Sequence, residues 1–232
     1  MNIAIILSGG IGSRMGSQIP KQYIEINGNP IIIHTIEKFI DNPLIDAIII
    51  AIAPEWKEYM LTYLEKFKLT QPIYYSSPGE TRQFTIFNAL KVALKHYSEN
   101  DIVIVHDAAR PLVSTELINA CLTECITNDG VLPVIPVKDT IYQSYDKSTI
   151  SSLLPRETLY AGQAPEAFNL GKYLQAHQTI SKSELLKING STELAYKNNM
   201  QIKLISGEDA NFKITTPEDL ERFKQIKSKN IQ

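Results

Sequence analysis

Apolar runs and amphipathic stretches alternate through the first half of the chain. The runs are short, rich in isoleucine and valine, and bounded by turn residues, which is typical of strands buried on both faces. They lie at 2–7, 46–53, 73–76 and 101–105. Between the first two runs, apolar side chains recur at helical spacing and should face a sheet, namely Ile32, Ile33, Ile36, Phe39 and Ile40.

Helix-starting signals follow several of these runs. Pro30 and Pro54 each suit the first turn of a helix, and the second of these helices should extend to about residue 66. Ser77 and Glu80 have the spacing of a capping box, which predicts a helix from that point. Near the end of the chain, Thr216 as N-cap and Pro217 at the first helical position predict a closing helix.

The alternation is interrupted between about residues 131 and 168. Residues 131–137 are strand-like, whereas 138–160 lack a helical pattern and predict a β-arm that protrudes from the sheet. Helices at 169–177 and 193–198 and a strand at 201–205 follow. Strands alternating with helices predict an α/β fold with a mainly parallel sheet between two helical layers. We expect residues 1–232 to form a single domain, with the arm packing on a partner subunit.

Composition narrows the classes of partner. The 232 residues are 44% hydrophobic and 21% charged with a net charge of −2, so nothing favours nucleic acid or a membrane, and an anionic substrate requires local cations. The two cysteines, Cys121 and Cys125, lie one helical turn apart without further metal-binding partners and are predicted to be core thiols of a reducing compartment. Without a secretory signal, a cytoplasmic location is expected.

The glycine-rich stretch after the first strand, LSGGIGSRMGSQIPKQ, is the strongest chemical signal. Gly9, Gly10, Gly12 and Gly16 allow the main chain to approach phosphate oxygens, and Arg14 and Lys21 add two positive charges. The spacing differs from the dinucleotide-binding fingerprint, and no helix clearly begins inside it. The stretch therefore favours a loop for phosphoryl or nucleotidyl transfer, although a mobile turn with solvated charges is the simpler alternative.

Seven motifs in order resemble the cytidylyltransferases that act on sugar-alcohol phosphates, the methylerythritol 4-phosphate and ribitol 5-phosphate enzymes. The resemblance spans nearly the whole chain and implies a Rossmann-like three-layer nucleotidyltransferase fold. The motifs are G-G-x-G-x-R-M at 9–15, P-K-Q at 20–22, G-E-x-R at 79–82 with Thr85, H-D-A-A-R-P at 106–111, D-T at 139–140, Arg156, and F-K-I-T at 212–215.

The resemblance implies transfer of CMP from CTP to a polyol phosphate, with release of pyrophosphate. A phosphate monoester is already ionised near neutral pH, so cations matter more than a base. Arg14 and Lys21 would stabilise the α-phosphate and the leaving group, while Arg156 and Lys213 would position the acceptor phosphate. The expected CTP-binding residues are Leu7, Ser8, Gly9, Gly10, Gly12, Gly79, Glu80, Arg82, Thr85 and Ala108, and the expected acceptor-binding residues are Asp107, Arg110, Thr140, Arg156 and Lys213.

Three further expectations follow from the resemblance. Mg²⁺ would bridge the triphosphate oxygens, mostly without a protein cage. Asp107 would contact acceptor hydroxyls, approach the metal, or only pair with Arg110. The protein would be a homodimer in which Arg156 reaches the partner's site. His34 and His106 are expected to be structural, and the aromatic side chains Tyr23, Phe39 and Trp56 to serve packing.

Departures from the family pattern concern the acceptor. Ala164 precedes Pro165 where a threonine is common, and Asn189-Gly190-Ser191 replaces the usual Thr-Asp pair. The chain resembles the ribitol phosphate branch more than the methylerythritol branch at Gly9-Gly10, at Glu55-Trp56, and at Gly162-Gln163 with Pro165. Ribitol 5-phosphate is therefore the expected acceptor, and a third polyol phosphate is an alternative. The competing hypotheses are the methylerythritol substrate, a non-catalytic nucleotide-binding protein, and an NAD-binding domain that lacks its fingerprint here.

Overall fold

The computed structural model describes residues 1–10, 19–67 and 69–229. Within these ranges the strands are β1 (Asn2–Leu7), β2 (Glu25–Ile26), β3 (Asn29–Pro30), β4 (Ala47–Ala51), β5 (Ile73–Ser76), β6 (Ile102–Asp107), β7 (Gly130–Pro136), β8 (Ile141–Gln143), β9 (Ser152–Leu154), β10 (Tyr160–Gly162), β11 (Glu166–Asn169) and β12 (Ile202–Ser206). The helices are α1 (Ile31–Ile40), α2 (Pro54–Leu64), α3 (Arg82–Leu94), α4 (Thr115–Cys125), α5 (Leu170–Thr179), α6 (Lys182–Leu185), α7 (Ser191–Lys197) and α8 (Pro217–Lys229).

One eight-stranded sheet organises the described residues. β5, β4, β1 and β6 lie side by side in parallel, and β11 joins β6 in the antiparallel direction. β7 pairs with β11 and β10 along one side and with β12 along the other. Because β1 and β6 are parallel with Leu7 opposite Asp107, their carboxyl ends meet at one edge of the sheet. Ligands of open α/β sheets bind at such an edge.

Helices cover both faces of this sheet, which confirms the predicted three-layer α/β architecture. The side chains of β1 alternate between two cores: Ala4 and Ile6 pack with α1, α2 and α4, whereas Ile3 and Ile5 pack with α3 and α5. This alternation follows from the two-residue period of a strand. Cys121 and Cys125 are buried in the first core, as expected, and burial raises the pKa of both thiols.

The predicted arm is a two-stranded hairpin outside the main sheet. β8 and β9 pair with each other in the antiparallel direction, with Tyr142 opposite Leu153. Both side chains are exposed, as are Tyr145 and Ile150 beyond them. The hairpin therefore presents apolar side chains to solvent in a single subunit.

One local prediction was wrong, and a predicted helix start differs by one residue. Ser77 and Glu80 do not cap a helix, because α3 begins at Arg82 after Thr81, and the segment between them folds back on the first turn of α3. Pro30 lies just before α1, where it also ends the small hairpin of β2 and β3. By contrast, Thr216 accepts a hydrogen bond from Asp219 N at 3.3 Å, as predicted for the N-terminus of α8.

Among the described residues, none of the helices has both the length and the apolar character required to cross a bilayer.

Candidate active site

A cavity of about 540 Å³ opens at the carboxyl ends of β1 and β6. Five segments that are far apart in sequence contribute to its wall, and most of them carry a predicted motif. The described lining residues are Leu7, Gly9, Gly10, Lys21, Gln22, Gly79, Glu80, Thr81, Arg82, Thr85, Asp107, Ala108, Ala109, Lys213 and Thr215. The sheet edge therefore gathers most of the predicted CTP-binding residues, together with two of the four predicted catalytic cations.

The glycine loop is held by side chains that follow the P-K-Q motif. Gln22 is buried, and its Nε2 donates to the carbonyl oxygens of Ser8 at 2.7 Å and Gly10 at 2.8 Å. Tyr23 Oη lies 2.8 Å from Ser8 Oγ, and the Tyr23 ring stacks on Trp56 with centroids 4.3 Å apart. Ser8 therefore faces Tyr23 with its side chain and does not line the cavity. Lys21 directly precedes Gln22 and Tyr23, which are both buried and bonded to the glycine loop. The predicted packing role of Tyr23 and Trp56 is confirmed.

Three predicted residues of this loop, Gly12, Arg14 and Gly16, lie outside the described residues. The described part of the loop is Leu7 to Gly10. Gly9 approaches the opposite loop closely, since a Cβ at this position would lie 2.5 Å from Pro78 Cβ. The two walls of the cavity touch at this point and leave no space for a side chain.

The wall opposite the glycine loop is formed by residues 77–85. Gly79 N donates to Thr85 Oγ1 at 2.9 Å, and Thr85 Oγ1 donates to Thr81 O at 3.0 Å, so the hydroxyl links the loop to the first turn of α3. Glu80 is exposed and forms an ion pair with Lys182 at 2.8 Å. Glu80 thus contributes to the rim of the cavity, while Thr85 is a buried part of the wall.

Asp107 is the centre of the charged side of the cavity. Its carboxylate lies 3.0 Å from Lys213 Nζ, 3.3 Å from Arg82 Nη2 and 3.5 Å from Arg110 Nε. Burial alone would raise the pKa of Asp107, but the attraction of Arg82, Lys213 and Arg110 outweighs it and holds the pKa far below the usual range. Asp107 is therefore ionised, and Arg110 is one of its three partners rather than the only one.

Glu166 completes this charged cluster, although no sequence motif indicated it. The side chain is buried, and Oε1 lies 3.4 Å from Arg82 Nη2. Its other oxygen accepts hydrogen bonds from Thr192 N at 3.0 Å and Thr192 Oγ1 at 2.6 Å. The available signal was a glutamate directly before the apolar pair Ala167 and Phe168, because a carboxylate buried beside such residues needs a partner.

A second, smaller cavity of about 270 Å³ shares Arg82 and Asp107 with the first. Arg110 lines it and is fixed there by donating from Nη1 to Asn211 O at 2.6 Å. Ala164 and Gly190 also line it, so both departures from the family pattern lie at one cavity. The remaining lining residues are Leu132, Gly162, Gln163, Glu166 and Thr192.

Thr140 and Arg156 are not among the lining residues of either cavity. Both are exposed residues of the arm, and Arg156 Nη1 donates to Lys138 O at 3.2 Å. The subunit thus carries two predicted acceptor-binding residues outside its own cavities.

The two histidines expected to be structural are confirmed as such. His106 lies under the site, and its Nε2 is 3.0 Å from Arg110 O. Burial lowers the pKa of His106 to about 4, so the ring is neutral near neutral pH. His34 is buried with Nε2 at 2.9 Å from Ile26 O. Each ring thus contacts a main-chain carbonyl oxygen and stabilises the local backbone.

The described side chains do not form a protein cage for a metal ion. Within residues 1–10, 19–67 and 69–229, no three His, Cys, Asp or Glu side chains are grouped to hold an ion. Asp107 lies in the cavity but has three cationic partners, so a divalent ion there would have to displace them. An ion carried by triphosphate oxygens fits this environment better than one held by protein alone.

The cavity offers main-chain groups on one side and cations on the other. Backbone amides of the Gly9 and Gly79 loops can contact a base and phosphates, and Lys21 and Lys213 reach the same space. Such fixed cations stabilise the charge that develops when a phosphoryl group is transferred. The arrangement suits the meeting of two phosphorylated substrates.

Comparison with known proteins identifies the family. The family model for 2-C-methyl-D-erythritol 4-phosphate cytidylyltransferase, IspD, matches residues 2–228. A protein of Streptococcus agalactiae serotype III, strain NEM316, named ribitol-5-phosphate cytidylyltransferase is 34% identical over 228 residues, covering 97% of this chain and 95% of that protein.

Two solved structures share the fold of this chain over nearly its whole length. The 2-C-methyl-D-erythritol 4-phosphate cytidylyltransferase of Francisella tularensis has a TM-score of 0.81 and 28% identity, covering 97% of this chain and 98% of that one. The 4-diphosphocytidyl-2C-methyl-D-erythritol synthase of Anaerococcus prevotii DSM 20548 has a TM-score of 0.80 and 25% identity, covering 98% and 96%. The chain belongs to the IspD family and is a nucleotidyltransferase of the cytidylyltransferase class.

Proposed function

We propose that this enzyme transfers CMP from CTP to ribitol 5-phosphate and releases pyrophosphate, forming CDP-ribitol. The observation that most supports transfer of a phosphoryl group is that Lys21 and Lys213 line one cavity between the glycine loop and the end of β6. The choice of acceptor is supported by the 34% identity, over nearly full length, to a protein named ribitol-5-phosphate cytidylyltransferase.

The chemistry requires positioned charge and no general base. An oxygen of the acceptor phosphate attacks the α-phosphorus of CTP, a new P–O bond forms, and the bond to the β-phosphate oxygen breaks. Lys21 would stabilise the α-phosphate and the leaving pyrophosphate, and Lys213 would draw the acceptor phosphate towards the α-phosphorus. Asp107, ionised and fixed by three cations, would accept hydrogen bonds from acceptor hydroxyls.

Mg²⁺ belongs to this proposal as the carrier of triphosphate charge. When bound, it would neutralise part of the phosphate charge and so reduce the repulsion between two anionic substrates. The carboxylates among the described lining residues are Asp107, which is paired with three cations, and Glu80, which is paired with Lys182.

A homodimer is the second part of the proposal. The arm exposes 59% of Tyr142 and 61% of Leu153 on one face of a two-stranded hairpin, and such a hairpin needs a surface on which to pack. A twofold-related subunit would supply it through one isologous interface. Arg156 and Thr140 would then complete the partner's acceptor site. The buried free thiols suit the reducing cytoplasm as the place of action.

The alternative acceptor is 2-C-methyl-D-erythritol 4-phosphate, which is favoured by the description of the matching family model. The two acceptors are separated by measuring pyrophosphate release from CTP with each polyol phosphate in turn. We expect the larger kcat/KM with ribitol 5-phosphate. A larger value with the methylerythritol substrate would assign the enzyme to that reaction, and thermal stabilisation by CTP without turnover of either would indicate a non-catalytic nucleotide-binding protein.

The same assay tests the nucleotide. The close contact of the Gly9 and Pro78 loops narrows the cavity, so CTP should be used in preference to ATP and GTP. Equal turnover of a purine triphosphate would contradict a pyrimidine site at these loops.

A further inference from the structure

Arg82 forms the boundary between the two cavities, and its guanidinium is held on several sides. Nη1 donates to Ser191 Oγ, while Nη2 lies 3.3 Å from Asp107 Oδ1 and 3.4 Å from Glu166 Oε1. Burial alone would lower the pKa of Arg82, but Asp107 and Glu166 raise it, so the group stays charged. One nitrogen is thus shared between Asp107, which lines both cavities, and Glu166, which lines only the second.

Glu166 is rigidly placed for this contact. It is on β11, opposite Val105 of β6, two residues before Asp107 along that strand. Both donors of Thr192, at the first turn of α7, hold Oε2, and this leaves Oε1 for Arg82. The carboxylate is only 7% exposed, so it is poorly screened by solvent and acts strongly on its neighbours.

We propose that Glu166 is a positioning residue for the acceptor, acting through Arg82 on the carboxylate of Asp107. With both carboxylates present, Arg82 is drawn towards each, and Asp107 keeps hydrogen-bonding capacity for acceptor hydroxyls. Without the charge of Glu166, Arg82 pairs with Asp107 alone and pulls its carboxylate away from the acceptor cavity. Glu166 is not among the described lining residues of the first cavity, so it reaches the CTP side only through Arg82.

The inference rests on the proposed transfer to a polyol phosphate, and its test uses whichever of the two polyol phosphates the wild-type enzyme converts faster. Glu166→Gln keeps the shape and removes the charge. We expect the KM for the acceptor to rise about tenfold, the scale of one lost charge-assisted hydrogen bond. The KM for CTP, measured at saturating acceptor, should stay within about twofold of the wild-type value.

Two more variants separate this role from simple support of the fold. Thr192→Val removes the hydroxyl donor to Glu166 but keeps the charge, and it should raise the acceptor KM in the same direction by a smaller factor. Glu221→Gln, which removes an exposed carboxylate paired with Lys224 on α8, is the matched control and should leave both constants unchanged. Melting temperatures are recorded for all three, and if Glu166→Gln does not fold, Thr192→Val alone decides.

Equal changes in the two KM values, or an acceptor KM unchanged in both site variants, would overturn the role of Glu166 while leaving the proposed function intact. Failure of the wild-type enzyme to convert either polyol phosphate would overturn the proposed function, and this inference with it.

Discussion

Lys21 and Lys213 come from opposite ends of the chain and reach one cavity, yet their surroundings differ. Lys21 follows Pro20 and precedes the buried Gln22, which is bonded to the glycine loop. Lys213 is paired with Asp107 at 3.0 Å. Lys21 adjoins the side chain that holds the glycine loop, so it is the cation proposed here to stabilise the charge that develops on the α-phosphate.

Replacing Lys21 by alanine should lower kcat by two to four orders of magnitude, roughly 3 to 5 kcal/mol, because a charge placed on the transition state acts chiefly there. CTP affinity, followed by calorimetry, should weaken much less. Lys224→Ala on the exposed face of α8 is the matched control and should retain activity. A loss below about tenfold in kcat would assign Lys21 to the surface.

Two buried histidines should make stability depend on pH. Burial lowers the pKa of His106 and of His177 to about 4. In the unfolded chain their pKa lies near 6.5, so the unfolded state binds more protons between pH 4 and 6.5. The free energy of unfolding should therefore fall as pH decreases through this window, by up to about 1.4 kcal/mol per pH unit for each histidine.

The variant His177→Leu isolates one of these contributions. The imidazole of His177 stacks on Phe87 and lines neither cavity, so an apolar side chain at this position keeps the contact with Phe87. Urea unfolding at pH 7 and pH 5 should show a smaller difference in the variant than in the wild type. The same difference in both proteins would show that His177 does not titrate in this range.

At the scale of elements, the loop between β5 and α3 lines the first cavity because its backbone lies close to the first turn of α3. A Cβ on Gly79 would lie 2.3 Å from Phe84 Cβ and 2.7 Å from the Phe84 carbonyl carbon. The loop can fold onto the first turn of α3 only because residue 79 has no side chain. The hydrogen bond from Gly79 N to Thr85 Oγ1 then fixes it against the cavity.

Gly79→Ala should consequently displace the loop. We expect a loss of roughly 1 to 3 kcal/mol in stability, the usual cost of overpacking, which corresponds to several degrees in melting temperature. The stabilisation conferred by CTP should also shrink. Gly190→Ala, where an added Cβ meets no atom within 4 Å, is the control for stability. Equal melting temperatures for the two variants would contradict the tight approach at Gly79.

At the scale of the whole molecule, the question is how the arm meets the site. Arg156 is 55% exposed and lies on the arm, outside both cavities of its own subunit. A symmetric dimer in which each arm reaches across would place Arg156 of one protomer beside Lys21 of the other. It would also cover Tyr142 and Leu153.

Mixing the inactive variants Arg156→Ala and Lys21→Ala should then restore activity. A heterodimer contains one site with both residues intact, so up to half of the sites in each heterodimer recover. Subunit exchange is verified first with differently tagged chains. Absence of any recovery after verified exchange would place Arg156 in the site of its own chain.

Much of the architecture could be predicted from periodicity, because the side chains of a buried strand or an amphipathic helix reflect local geometry. The strand at 73–76 and the protruding arm are confirmed by the structure, and the glycine loop lies at the end of β1 as predicted. The capping box at Ser77 and Glu80 was wrong, because the approach of Gly79 to Phe84 outweighed a local signal. Spacing alone carries no information about such an approach.

The sequence by itself determined the fold class, the family and the set of cations available for the reaction. Only the tertiary structure decided that Lys213 pairs with Asp107 and that Glu166 pairs with Arg82. It also decided that Arg156 lines neither cavity of its own subunit. The physical reason is that helix and strand signals arise between near neighbours, whereas ion pairs join residues brought together by the sheet. A buried glutamate in β11 is intelligible only once α3 and α7 have placed its partners.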